Sequence, residues 1–149
     1  MLPELSIGCC LLAVTVMIHA AGLTAVLRYI LNSSLLKDAR LGRLASVLVC
    51  VAWALLMLHL VEIGLWALVY WWQRCFPDLE SSLYFSGVTY TTVGYGDLLL
   101  AKDWRLLAPL EALTGILMSG LSVSFFFVVM SKGVAARTAA GGTTGERTG

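Results

Sequence analysis

Charge is what this chain has least of. Asp, Glu, Lys and Arg make up 13% of its 149 residues, while hydrophobic residues make up 59%. That balance is unlike a soluble globular domain and suits a chain surrounded by lipid. The net charge of +1 carries no information about nucleic acid. No basic patch interleaved with aromatics is present either, so no nucleic-acid partner is expected. Metal-ligand spacing is also missing: Cys9, Cys10, Cys50 and Cys75 match no zinc or haem pattern. Three of them lie in apolar segments, and Cys75, the one placed to meet an oxidising exterior, has no obvious partner in its own chain. No segment outside the apolar runs gathers a nucleophile, a base and an orienting acid, so the chain is not read as an enzyme and no cofactor is expected. It has no internal repeat and no nucleotide- or calcium-binding module.

What is there is apolar sequence in long runs. A helix needs about 20 apolar residues to cross a bilayer, and three segments qualify: Leu5 to Leu31, Leu44 to Trp72, and Leu106 to Met130. The first opens Met1-Leu2-Pro3-Glu4, with no basic residue before the run, and exceeds a typical signal-peptide core. A retained span is therefore expected. It lacks the regularly spaced arginines of a voltage sensor, with Arg28 alone near its end. The stretch from Leu79 to Tyr90 is too short to cross and reads as a re-entrant helix. Pro77 and Asp78 suit its start, proline in a first turn and a carboxylate at the positive end.

Orientation follows from basic residues. Lys37, Arg40 and Arg43 lie between the first two spans, and Lys132 and Arg137 follow the third. Both regions are expected on the cytoplasmic side, which puts the N-terminus and the segment from Gln73 to Asp103 outside. Trp66, Tyr70, Trp71 and Trp72 are expected to form an interfacial belt at the outer end of the second span, and Trp104 to anchor the start of the third.

The short helix leads into Thr89-Tyr90-Thr91-Thr92-Val93-Gly94-Tyr95-Gly96-Asp97. A backbone that points every carbonyl one way cannot be a strand, where carbonyls alternate. It needs alternate residues in left-handed dihedrals, which Gly94 and Gly96 adopt at little cost. Thr92, Val93, Gly94 and Tyr95 can then each aim a main-chain oxygen at one axis, and the Thr92 hydroxyl can add another. Such rings of oxygen replace the water shell of an ion. With these nine residues between two spans, the chain resembles the pore-forming potassium channel family, in particular its small bacterial members.

That resemblance implies an all-α membrane protein with three transmembrane helices, a re-entrant pore helix and a selectivity filter. Its function would be passive, potassium-selective conduction across the cell membrane. The expected organisation is an extra spanning helix over 1–31, a cytoplasmic basic link over 32–43, a pore domain over 44–131 and a disordered cytoplasmic tail over 132–149. Within the pore domain come an outer helix (44–72), a pore helix (79–90), the filter (92–96) and an inner helix (104–131). One filter strand per chain implies a homotetramer. K+ at the filter carbonyls is the expected metal, and the lipid bilayer is the other partner. Thr89, Thr91, Tyr84, Phe85 and Asp97 are expected to support the filter, Tyr84 and Phe85 replacing an aromatic cuff. Val88 stands where some relatives carry a glutamate, so Asp97 needs another partner, the Tyr84 hydroxyl being a candidate.

Gating candidates are His59, Glu62, Glu111, Gly115 and Gly120. His59 and Glu62 share a helix face. Glu62 lies about 15 Å below the outer end of its helix and Glu111 about 10 Å into the third span. Either both acids hold packing hydrogen bonds, or they are protonatable braces that tie gating to pH. Gly115 is placed like the family's hinge glycine, with close packing as the alternative. His19 reads as a packed polar residue rather than a ligand. Two other functions stay open: a non-selective cation channel, and a non-conducting subunit of another channel.

Overall fold

The computed structural model describes residues 2–32 and 41–145, and among them every regular element is a helix. Four occur: α1 (Leu2–Asn32), α2 (Leu41–Trp72), α3 (Leu79–Tyr90) and α4 (Leu107–Gly145). Glu4–Asn32, Gly42–Trp72 and Leu107–Ala136 are long and apolar enough to cross a membrane. α3, at 12 residues, is about 18 Å long against a hydrocarbon core of about 30 Å. Most of the basic link over 32–43, including Lys37 and Arg40, lies outside the described residues.

The start of α3 has a local cause. Asp78 is extended (φ −141°, ψ 167°) and its carboxylate accepts the Ser81 N–H at 2.7 Å. Three residues into a helix the backbone donors have no internal partner, and a side-chain oxygen at the cap satisfies one of them. Pro77 therefore precedes the cap instead of occupying the first turn. Ser82 completes the turn by donating its hydroxyl to the Asp78 carbonyl at 3.0 Å.

α1 packs along one stripe. Leu11, Thr15 and His19, four residues apart, are all buried, the spacing of a single helix face. Gly8 and Gly22 extend that stripe toward Leu107 and Leu110 of α4 and Leu58 of α2, leaving little room for any side chain. The first helix is thus part of the bundle. Two apolar clusters form around it. One holds Leu11, Trp66, Tyr70, Phe76, Phe85 and Leu107 near the start of α3; the other holds Ile30, Val47, Val51, Leu55 and Val129 toward the opposite end.

Two expectations need correction here. Trp66 and Tyr70 are fully buried, while Trp71 and Trp72 are exposed. Positions 66 and 70 are one turn apart and face the bundle, so only their neighbours reach the surface. The tail also differs, because α4 continues to Gly145 where a disordered segment from 132 is expected. Ala135, Ala136, Ala139 and Ala140 are strong helix formers, and extending an existing helix avoids the cost of nucleation. Gly133 lies against Leu44 of α2, which holds this region of α4 beside the start of α2.

Gly115 is close-packed. A Cβ there would collide with the Tyr90 carbonyl at the end of α3, whereas one at Gly120 would meet nothing within 4 Å. Gly115→Ala should therefore destabilise the fold by about 1–3 kcal/mol, the usual cost of overpacking. Thermal unfolding of the purified protein in detergent should show a lower midpoint for Gly115→Ala and little change for Gly120→Ala. Equal midpoints would mean that α3 and α4 are not held this closely.

Candidate functional site

The segment after α3 changes hand at every second residue. Thr92, Gly94 and Gly96 have φ of +62°, +58° and +75°, while Val93 and Tyr95 do not enter the positive region. The glycines are needed for backbone reasons, since a Cβ at Gly94 or Gly96 would meet nothing within 4 Å. Thr92 was not foreseen in this conformation. A β-branched residue there is a strained outlier, and the surrounding hydrogen bonds hold it. Its N–H donates to Thr89 O at 2.9 Å, and the Val93 and Gly94 N–H groups both donate to Val88 O, at 3.0 and 3.2 Å. Thr91 caps the helix, its hydroxyl donating to Gly87 O at 2.6 Å. The last carbonyls of α3 thus accept from the first amides of the loop. Residues 91–97 are exposed in the single chain, with Val93 at 53% and Tyr95 at 72%.

Behind this loop the Tyr84 hydroxyl donates to Asp97 Oδ2 at 2.7 Å. That bond stabilises the charged form and holds the Asp97 carboxyl below its ordinary range. Phe85 takes a different direction from Tyr84. It packs edge-on against Tyr70 of α2 at 5.3 Å and beside Phe76 at 4.9 Å between ring centroids, and it also lines the groove behind the loop. Thr89 and Val88 line the groove behind the loop with Tyr84, Thr92 and Asp97.

Two buried carboxylates tie α3 to the spans. Glu111 on α4 accepts from the Tyr70 hydroxyl of α2 at 2.7 Å and from the Ser86 hydroxyl of α3; Ser86 also reaches Ile63 O at 2.9 Å. Glu62 on α2 accepts from Tyr90, the last residue of α3, and from His19 Nδ1 of α1 at 2.8 Å. His59 Nδ1 lies 3.4 Å from Glu62 and 3.0 Å from the Tyr90 hydroxyl. Ser122 of α4 approaches Nε2 of both histidines, at 3.3 Å for His19 and 3.0 Å for His59. Both acids are fully buried, and among the described residues no buried side-chain polar atom lacks a partner. An unpaired charge at membrane depth would be costly, so each acid is surrounded by donors.

His59, Glu62 and Glu111 were singled out in the sequence as possible braces; Ser86 was not, Tyr70 was read as part of an interfacial belt, Tyr90 only as part of the motif after the short helix, and His19 only as packed. The available signal was weak: Thr15 and His19 recur at helical spacing on an apolar helix. In the structure the Trp66 indole donates to the Thr15 hydroxyl at 3.2 Å. Among the described residues, His19, His59 and Glu62 are a group whose ligand atoms lie close enough together to hold a metal ion.

Residues 47–132 of this chain match the ion channel family. No curated protein and no solved structure matches it. The matched region runs from α2 through the loop to α4, so it includes both buried acids and the left-handed alternation.

The Tyr84–Asp97 bond has a measurable sign. A donor that lowers the folded-state pKa stabilises the charged form, and that contribution is lost as pH falls through the lowered value. Tyr84→Phe should therefore raise the titration midpoint of Asp97 toward the ordinary aspartate value of about 3.9. A carbon-13 titration of labelled aspartate would show the shift. An unchanged midpoint would mean that the two side chains do not interact in solution.

Proposed function

Because the chain belongs to the ion channel family, we propose that it is a potassium-selective channel, with four copies surrounding one pore and K+ crossing the cell membrane passively. One observation carries the reading. Left-handed backbone at Thr92, Gly94 and Gly96 alternates with Val93 and Tyr95, the pattern that turns successive carbonyls of 92–95 to one side. Stacked rings of such oxygens, with the Thr92 hydroxyl at the inner end, give a dehydrated K+ its replacement ligands. One chain supplies one wall of that ring. Exposed Val93 and Tyr95 are the side chains that neighbouring copies would cover, wedging each filter strand in place. The intact Gly94-Tyr95-Gly96 triplet favours selectivity for potassium over a non-selective cation pore.

The proposed orientation has the C-terminus in the cytoplasm and the N-terminus outside. Gly133 beside Leu44 supports placing Arg43 and Lys132 on one face of the membrane, where basic residues favour the cytoplasm. The filter is then reached from outside, and α4 lines the inner cavity. Glu111, bonded to both the outer helix and the pore helix, is the gating brace.

Reconstitution tests the reading. Liposomes carrying the purified protein alone should pass K+ far faster than Na+. Gly94→Ala should abolish K+ flux without dispersing the assembly, because a Cβ in left-handed backbone costs about 1–2 kcal/mol per residue in each of four strands. Sodium and potassium fluxes that match would point to a non-selective pore. No flux from the pure protein would point to a non-conducting subunit, and unchanged flux in Gly94→Ala would remove the filter assignment.

Gating gives a separate prediction. Glu111→Gln keeps the shape but cannot titrate, so it should shift the pH dependence of open probability with selectivity intact. Single-channel curves that overlay the wild type would leave Glu111 as a packing element.

A further inference from the structure

Beside the end of α3, α1 and α2 bring His19, His59 and Glu62 together, with one ligand atom of each within 4.8 Å of the others. The protons in this cluster can be counted. Glu62 accepts from His19 Nδ1 and from the Tyr90 hydroxyl, so His19 carries a proton on Nδ1. Tyr90 has given up its single proton, so its 3.0 Å contact with His59 Nδ1 is filled by a proton on that nitrogen. Two neutral imidazoles then have bare Nε2 atoms, and both approach the Ser122 hydroxyl. A serine hydroxyl has one proton and two lone pairs. It can satisfy one of these contacts and leaves the other with lone pair against lone pair. One further positive charge resolves this, carried either by a second proton on one imidazole or by a metal ion.

A divalent metal ion on the Glu62 side removes the conflict. With Nδ1 of both histidines bound to the ion, each imidazole carries its proton on Nε2. Both N–H groups then donate to the two lone pairs of Ser122. The Glu62 carboxylate is the third ligand and the Tyr90 hydroxyl stands next to the fourth position. Two imidazoles, a carboxylate and one further oxygen form a ligand set that zinc accepts. A hydroxyl that fixes the tautomer of both histidines is the outer-shell support such sites use. His59, whose side chain is 18% exposed while those of His19 and Glu62 are fully buried, offers the ion a route in. We infer that His19, His59 and Glu62 bind one divalent transition-metal ion of the zinc class per chain, clamping the first helix to the outer helix beside the end of the pore helix.

Cobalt is the probe, because tetrahedral Co2+ absorbs strongly in the visible and binds where zinc does. Full-length protein in detergent, stripped with chelator, should bind one Co2+ per chain with a tetrahedral spectrum, and Zn2+ should displace it. His19→Gln and Glu62→Gln should lose the spectrum. Ser122→Ala, which removes no ligand, should retain the spectrum but weaken binding roughly 10–100-fold, the usual effect of losing an outer-shell partner. Circular dichroism would establish that each variant keeps its helices. Wild-type protein without a tetrahedral band would overturn the assignment, as would a His19→Gln variant that keeps both helices and wild-type affinity. The readout is optical, so it stands or falls independently of ion conduction.

Discussion

Backbone that is neither helix nor strand, held at membrane depth, is the constraint on which the rest of this structure depends. Such backbone is tolerated there only where protein buries it or a water-filled cavity bathes it, so amides that water does not reach need protein partners. The loop after α3 meets this demand with the last carbonyls of the helix itself, Val88 O taking two amides and Thr89 O a third. The helix must therefore end where it does and be gripped firmly. Glu62 holds its last residue, Tyr90, and Glu111 holds Ser86 one turn earlier. Gly115 lets α4 approach the Tyr90 carbonyl.

These grips explain why a chain so poor in charge keeps two acids inside its spans. A buried carboxylate is expensive alone, but one that accepts from two or three donors can fix helices relative to each other. Tyr70, Ser86 and Glu111 join α2, α3 and α4; His19, Glu62 and Tyr90 join α1, α2 and α3. The polar groups form two separate knots, each closing on the pore helix. The first helix joins the second knot through the His19–Glu62 contact.

Much of this was legible in the sequence where local chemistry decided the outcome. Pro77 and Asp78 announce a helix start, and 12 residues cannot cross a bilayer, so the short helix at 79–90 could be read directly, with the proline one place ahead of where it was expected. Gly94 and Gly96 announce left-handed backbone. Thr92 could not be read this way, because its side chain opposes the conformation that alternation imposes on it. His19 was opaque for a different reason: its partner lies 43 residues away, and a single histidine on an apolar helix carries no sign of what it will face. Trp66 and Tyr70 looked like surface aromatics until the packing turned their shared face inward. The tail misled through composition, since glycine and threonine mask an alanine-rich stretch able to prolong a helix already begun.

The central claim is that four copies of the 92–96 segment form a ladder of carbonyl rings that holds dehydrated K+. Cryo-electron microscopy of the protein purified in potassium tests it most directly. The account predicts four chains around one axis, with ion density on that axis between the carbonyl rings of residues 92–95. Loops that stand apart from the axis, or an assembly in which they never meet, would contradict it.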